Sequence, residues 1–326
     1  MNKLIFHLRF LFTQSSILVG GQAVIEGVMM RVPGAYATAV RDKTGKIHID
    51  KHKHKSKSDK YPLLKKPLLR GMLGLFESLK IGYSTLQWSA NIISDENIDD
   101  NKTNKFVDIL LTILSFSIAI SLFFIAPIGL TTWIFNIEQN AFSFNFISGI
   151  FRVIFFLTYL VLISFMKDIK RLFQYHGAEH KIVYNFESGK KLCINNAKKF
   201  PTQHPRCGTS FMFIIMLVAI ITFAILDSIV MFYVNDLKVW MRLILHIPFI
   251  PIVASLGYEV LKITAKHRNN LFFKILAKPG LWLQNITTKE PDDSQIEVAI
   301  RALEEAFGKK LSKFTNGKTY VAEAIE

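Results

Sequence analysis

Two short clusters in this chain carry the residue types that metals and protons use. The first is Tyr175-His176-Gly177-Ala178-Glu179-His180-Lys181. On a helix, a four-residue spacing sets His176 and His180 on one face a turn apart, and Glu179 shares that face. His-x-x-Glu-His is the inverted zincin pattern, in which two imidazoles hold zinc and the carboxylate takes a proton from an activated water. A plainer reading is a polar helix end with Glu179 paired to Lys181 or Arg171. The second cluster is His204-Pro205-Arg206-Cys207-Gly208, where Pro205 keeps the chain out of a helix. Imidazole nitrogen and thiolate sulfur are both good zinc ligands. The plainer reading here is a tight turn with Arg206 bound to a carboxylate or a headgroup.

Taken together, His176, His180, His204 and Cys207 make a tetrahedral donor set for a divalent metal, with Glu179 as the base. Mixed nitrogen and sulfur donors favour zinc or iron over magnesium. Four protein ligands would close the shell and make the site structural; three would leave a position for water and make it catalytic. Both remain open from the sequence. Glu187 is a further possible ligand, and Glu26 and Arg31 could also reach the loop.

These clusters must be positioned by a strongly segregated chain. Apolar residues make up 50% of its 326 residues, with 28 Phe, yet the formal net charge is +15. Segregation of that kind fits membrane residence, with the positive charge facing anionic lipid headgroups. No aromatic-plus-basic platform for nucleic acid is evident, so nucleic acid is not expected as a partner. Cys193 and Cys207 are the two cysteines, too few for a disulfide framework.

Four long apolar segments, 106–135, 146–166, 211–234 and 239–261, read as transmembrane helices. Pro248 and Pro251 could split the fourth. Lys and Arg number 17 in 1–105, nine in 167–210 and eleven in 262–326, whereas 136–145 has none. That bias puts both termini and the 167–210 loop in the cytoplasm, and the reducing surroundings disfavour a Cys193–Cys207 disulfide. Asp227 and Arg242 lie inside apolar segments but towards their outer ends, which argues against a transport pathway.

The remaining segments read as follows. Residues 1–19 form a retained surface segment, because His7 and Arg9 interrupt the apolar run that a signal peptide needs. Residues 20–60 form a cytoplasmic β-rich unit, with strands at Ala35 to Arg41 and Lys46 to Asp50 joined by turn residues. Lys51-His52-Lys53-His54-Lys55 is a solvated basic face, since neighbouring ammonium groups oppose cation binding. Within 61–105, Pro67 to Ile93 is an amphipathic helix that either lies in the membrane interface or packs on its own domain, and Asp95 to Lys105 is a polar linker. In 262–326, Lys262, Lys266, His267 and Arg268 form a basic collar and Pro279-Gly280 marks a turn. A closing helix follows, capped by Asp292, Asp293 or Ser294, with Ile296, Ala299, Ile300, Leu303 and Phe307 on one face.

Several stretches carry a family resemblance. Gly20-Gly21-Gln22-Ala23-Val24-Ile25-Glu26-Gly27-Val28-Met29-Met30-Arg31, both histidine clusters, Pro279-Gly280-Leu281-Trp282-Leu283-Gln284 and Thr287-Thr288-Lys289-Glu290-Pro291 resemble the YqhQ-like bacterial membrane proteins. The resemblance covers about 18–308. It implies a polytopic membrane protein and a metal-dependent enzyme whose reaction is not established.

The sequence thus predicts a polytopic α-helical membrane protein of about four transmembrane helices with a small cytoplasmic α+β portion. It would sit in the cytoplasmic membrane and carry a metal site on its cytoplasmic face, with hydrolysis the leading reaction class. The alternative is a non-catalytic factor that binds or assembles another membrane protein, in which the His/Cys loop is structural.

Overall fold

The computed structural model describes residues 19–94, 105–205, 207–234, 237–266 and 270–312. The expected N-terminal surface segment, nearly all of the Asp95–Lys105 linker, Arg206 and the His267-Arg268 part of the basic collar lie outside them.

A four-stranded antiparallel meander opens the described chain: β1 (Gly20–Val24), β2 (Gly27–Val32), β3 (Ala35–Arg41) and β4 (Ile47–Lys53). Val28 pairs with Ala39 and Met30 with Ala37, so period-two alternation sends these four to one face. Met29 and Val40 face the other way. The β3–β4 turn is built as the residues suggest. Gly45 takes φ 89°, and the Asp42 carboxylate accepts from the Thr44 and Lys46 amides at 2.8 and 3.0 Å. The bond from the Thr44 hydroxyl, then the one from His48, hold the Asp42 carboxyl well below its usual range. β4 runs through His52 and Lys53, and His52 meets Asp50 at 2.7 Å.

Helix α1 (Leu69–Ser94) covers the Met29/Val40 face with Ile81, Trp88 and Ile92. Gln22 donates to the Gly82 carbonyl and the Thr85 hydroxyl at 3.1 and 2.9 Å, and Ser89 accepts from the Ile25 amide at 3.2 Å. The expected packing on its own domain is therefore met. One face packs on its own sheet, while Phe76, Leu79, Tyr83 and Leu86 stand exposed at three- and four-residue spacing.

Four helices, or pairs of helices, are long and apolar enough to cross a membrane: 109–135, 141–164, 212–233 and 239–264. The first comprises α2 (Lys105–Ile120), a π turn (Ser121–Ile125) and α3 (Ala126–Phe135). Pro127 has no N–H and crowds the preceding turn, and the widened π turn just before it takes up that mismatch. The second is α4 (Ala141–Ser164), which starts five residues before the apolar run because Asn140 caps it, accepting from the Ser143 amide at 2.9 Å.

Next come α5 (Lys167–Glu187), α6 (Gly208–Tyr233) and α7 (Val239–Lys266). Pro248 and Pro251 do not split α7. In apolar surroundings, a helix is the one way left to satisfy the remaining backbone groups. A correction follows at Pro279-Gly280, expected as a turn: both lie inside α8 (Leu271–Thr287), which packs along α6 with Gly280 and Leu283 buried. That packing overrides the local turn preference.

The closing helix α9 (Asp293–Phe307) begins with a capping box between Asp292 and Gln295. Ile296, Ala299, Leu303 and Phe307 join Val28, Met30, Ala37 and Ala39 of the sheet with Tyr175, Ile182 and Phe186 of α5 in one core. The sheet, α5 and α9 thus form a compact α+β unit, and α5 is shared between this core and the histidine clusters.

Two stability outcomes follow. Leu303→Ala should cost about 2–5 kcal/mol as a core truncation, and Asp292→Ala about 1 kcal/mol as a lost cap. Burial raises the Asp292 carboxyl, but the Ser294 and Gln295 hydrogen bonds outweigh it and leave its value lowered. A lowered folded value stabilises above the unfolded value of 3.8 and is lost as pH falls through the folded value. Unfolding followed between pH 7 and 3 should therefore show the Asp292→Ala difference shrinking at the acid end.

Candidate metal centre

Helix α5 presents His176 and His180 on one face, as the spacing requires, with ring centroids 4.5 Å apart. Each imidazole has one nitrogen committed to the main chain. His176 Nδ1 lies 2.8 Å from the Thr287 carbonyl, and His180 Nδ1 is bonded to the Thr202 carbonyl. A carbonyl only accepts, so both Nδ1 atoms carry the proton and both Nε2 atoms keep a lone pair. His176 Nε2 then lies 3.1 Å from Cys207 Sγ. The ligand-capable atoms of His176, His180 and Cys207 all fall within 4.8 Å of one another. This is the arrangement in which a ligating histidine has its tautomer fixed by a carbonyl behind it.

Cys207 is the N-cap of α6, and its sulfur is 3.2 Å from the Thr209 hydroxyl and 3.5 Å from the Thr209 amide. The positive end of a 26-residue helix therefore faces the sulfur. The segment carrying the Thr287 carbonyl lies directly on α5, with the Lys289 amide donating to the Phe173 carbonyl at 2.9 Å. Gly177 permits this approach: a Cβ there would sit 2.1 Å from the Lys289 carbonyl oxygen. On the other side, buried Lys181 gathers the chain before Thr202 by donating to the Phe200 carbonyl at 2.7 Å.

The residues around this trio take distinct places. Glu179 is buried, its carboxylate is 3.5 Å from His180 Nε2, and its Cγ lies under Gly21 of β1. Its expected alternative partners are engaged elsewhere: Lys181 pairs with Glu290 at 2.8 Å and Arg171 with Glu26. Hydrogen bonding to Glu26 raises the Arg171 guanidinium above its usual range, and burial, then Glu26, raises the Tyr175 phenol.

His204 is near the group but not in it. Gln284 clamps its backbone from both sides, accepting from its amide at 2.6 Å and donating to its carbonyl at 2.8 Å. Its ring lies 5.5 Å from that of His180 and 4.5 Å from that of Tyr184, and its Nε2 is 3.9 Å from Glu187. Glu187 is therefore beside His204 and outside the trio. Arg31 turns to the α1 side, where burial lowers its guanidinium and the charges of Glu77 and Tyr258 oppose that shift. The supporting groups absent from the expectations are Thr202, Thr287, Gln284 and Gly177. Gly177, Gln284 and Thr287 lie inside motifs that carry the family resemblance, and Thr202 lies outside them.

The chain belongs to the DUF1385 family, a family of proteins of unknown function whose model matches residues 66–309. It is similar to the uncharacterized protein YqhQ of Bacillus subtilis (strain 168), with 33% identity over 302 residues, covering 88% of this chain and 91% of that protein. The YqhQ-like resemblance carried by the sequence motifs is thus established. No solved structure matches the chain.

The close approach at Gly177 can be checked against an internal control. Gly177→Ala forces a methyl against a main-chain carbonyl and should destabilise by about 1–3 kcal/mol. Gly74→Ala, in α1 with open space around it, should be neutral or stabilising by up to about 1 kcal/mol. Unfolding midpoints of the two variants should move in opposite directions, or Gly177 alone should move.

Proposed function

For this member of the DUF1385 family, we propose an integral protein of the cytoplasmic membrane that holds a divalent metal, zinc foremost, at the cytoplasmic ends of its helices and uses it for hydrolysis. The convergence of His176 Nε2, His180 Nε2 and Cys207 Sγ carries this reading. Their chemistry fits the group. In a tetrahedral zinc site with bonds of about 2.0–2.3 Å, adjacent donors lie about 3.3–3.6 Å apart. The 3.1 Å between His176 Nε2 and Cys207 Sγ is close to that span.

A metal held by three protein ligands lowers the pKa of water at its open position to near neutrality. The protein's own part is positioning and proton transfer. The Thr287 and Thr202 carbonyls fix both imidazoles with Nε2 inward. Glu179, whose carboxylate lies beside His180 Nε2, accepts the proton as general base. The wall formed by β1 and α5 excludes bulk water and strengthens these interactions.

Membrane residence is supported by the four apolar helices and by the Lys/Arg distribution, which puts the sheet, α5 and both termini on the cytoplasmic side. Helix α1 is clamped to α7 by Arg70 on Glu259 and by the contact of Gly71 with Ser255. In this reading its exposed stripe of Phe76, Leu79, Tyr83 and Leu86 lies in the interface among anionic headgroups.

A second reading is favoured by the enclosure of the site. Glu179 and His180 are only 5% and 2% exposed. That degree of burial suits a structural metal clip in a factor that binds or assembles another membrane protein.

Elemental analysis separates the outcomes. Purified protein should hold about one metal per chain, Cys207→Ser and His180→Ala should lose it, and Glu179→Gln should retain it while abolishing hydrolysis. Wild-type protein free of stoichiometric metal after chelator-free purification would overturn both readings. A metal-loaded Glu179→Gln variant that still supports function in cells would favour the structural one. The orientation is tested by single cysteines placed at Glu138 and Lys309 in a background without Cys193 and Cys207: an impermeant maleimide applied to intact cells should label Glu138 and spare Lys309.

A further inference from the structure

A second buried polar cluster lies inside the apolar helices, away from the metal centre. Asp227 of α6 is its carboxylate, and both oxygens are taken. Oδ1 meets His246 Nε2 at 2.8 Å, and Oδ2 accepts from Asn145 at 2.7 Å and from Arg242. Arg242 also donates to the Glu138 carbonyl at 2.6 Å and lies over the Phe144 ring. Asp227 and Arg242 therefore cancel.

Arg152 of α4 does not fit that closed set. It is 9% exposed, and its guanidinium carbon lies 5.4 Å from the Phe124 ring and 5.6 Å from the Phe223 ring. Aromatic faces attract a cation but satisfy none of its in-plane N–H groups. Among the described residues, its Nε and Nη2 have no hydrogen-bond partner, and the same holds for Ser148 Oγ and His246 Nδ1. Ser148 and Arg152 are one turn apart on α4 and share a face. The His246 ring stacks on Phe223 at 4.1 Å, so Arg152 and His246 both meet this one aromatic residue. Phe124 belongs to the π turn, and such turns recur at functional sites.

Arg152 is the twelfth residue of α4, about 16 Å along the helix from its start, deep within the apolar bundle. The nearest opposite charge is Asp227, which is hydrogen-bonded to Arg242, so two guanidiniums share one carboxylate and the N–H groups of Arg152 stay unsatisfied, a costly arrangement at this depth. A guanidinium keeps its proton, so it is no proton relay; its chemistry is to hold an anion.

We propose that Arg152, with Ser148 Oγ, forms an anion site inside the helical bundle that takes one carboxylate or phosphate group. This site is independent of the metal centre. Its occupant is either a small solute or the phosphate of an anionic lipid, the chemistry being shared.

The test uses full-length protein in nonionic detergent, as wild type, Arg152→Gln and Arg152→Lys. Unfolding midpoints are followed against acetate, inorganic phosphate and phosphatidylglycerol, with chloride at matched ionic strength and phosphatidylcholine as controls. A saturable rise in the wild type with acetate or phosphate identifies a solute site, and a rise with phosphatidylglycerol alone identifies a lipid site. In either case apparent affinity should fall at least about tenfold in Arg152→Gln and be partly kept in Arg152→Lys. Without any probe, Arg152→Gln should unfold no earlier than wild type, because it removes a buried guanidinium whose Nε and Nη2 are unsatisfied. The proposal is overturned if no probe shifts the wild type, or if Arg152→Gln responds as the wild type does. Should that variant fail to fold, Ser148→Ala replaces it: weakened binding supports the site, and unchanged affinity overturns it.

Discussion

Two hydrogen bonds to main-chain carbonyls govern the geometry of the candidate metal centre. Thr287 and Thr202 each accept from the Nδ1 of a histidine on α5, which commits those nitrogens to the main chain, and His176 Nε2 lies 3.1 Å from Cys207 Sγ. Without those carbonyls the imidazoles would be free to rotate, and a four-residue spacing would guarantee only a shared face. The fold can be understood as the means of delivering them. Gly177 lets the segment after α8 lie on α5, and Lys181 draws in the segment that precedes α6. Cys207 arrives as the first residue of α6's cap.

Helix α5 consequently serves two demands at once. One side, through Tyr175, Ile182 and Phe186, is core to the sheet and α9. The other carries the histidines. Glu179 stands at the boundary, with its stem against β1 and its carboxylate at the donor cluster, so the sheet's Gly21 bears on the site although no strand residue is a candidate ligand. Metal-site geometry and core packing are thereby coupled through a single helix.

Much of this was legible in the sequence where the signal is local. The apolar runs marked the four long helices, the turn residues marked the β3–β4 connection, and Asp292 marked the start of α9. Of the residues in the His-x-x-Glu-His spacing and the His-x-x-Cys loop, the fold brings His176, His180 and Cys207 together and leaves His204 beside them. What was not legible depends on distant partners. His204 is held by Gln284, eighty residues away, and its ring is set between His180 and Tyr184. Pro279-Gly280 reads locally as a turn, yet packing along α6 keeps it helical. Arg152 is a lone charge within an apolar run, with no local signal of a site. Its relation to Phe223 and His246 needs three helices to be in place.

The proposed metal centre has a distinctive candidate donor set, two imidazole nitrogens and the Cys207 sulfur, with Glu179 nearby. X-ray absorption at the metal edge of purified, metal-loaded protein tests that set directly. The account predicts one sulfur scatterer at about 2.3 Å and nitrogen or oxygen scatterers at about 2.0–2.1 Å, with the sulfur lost in Cys207→Ser. A shell of oxygen and nitrogen alone in the wild type, or a sulfur signal that survives Cys207→Ser, would contradict it.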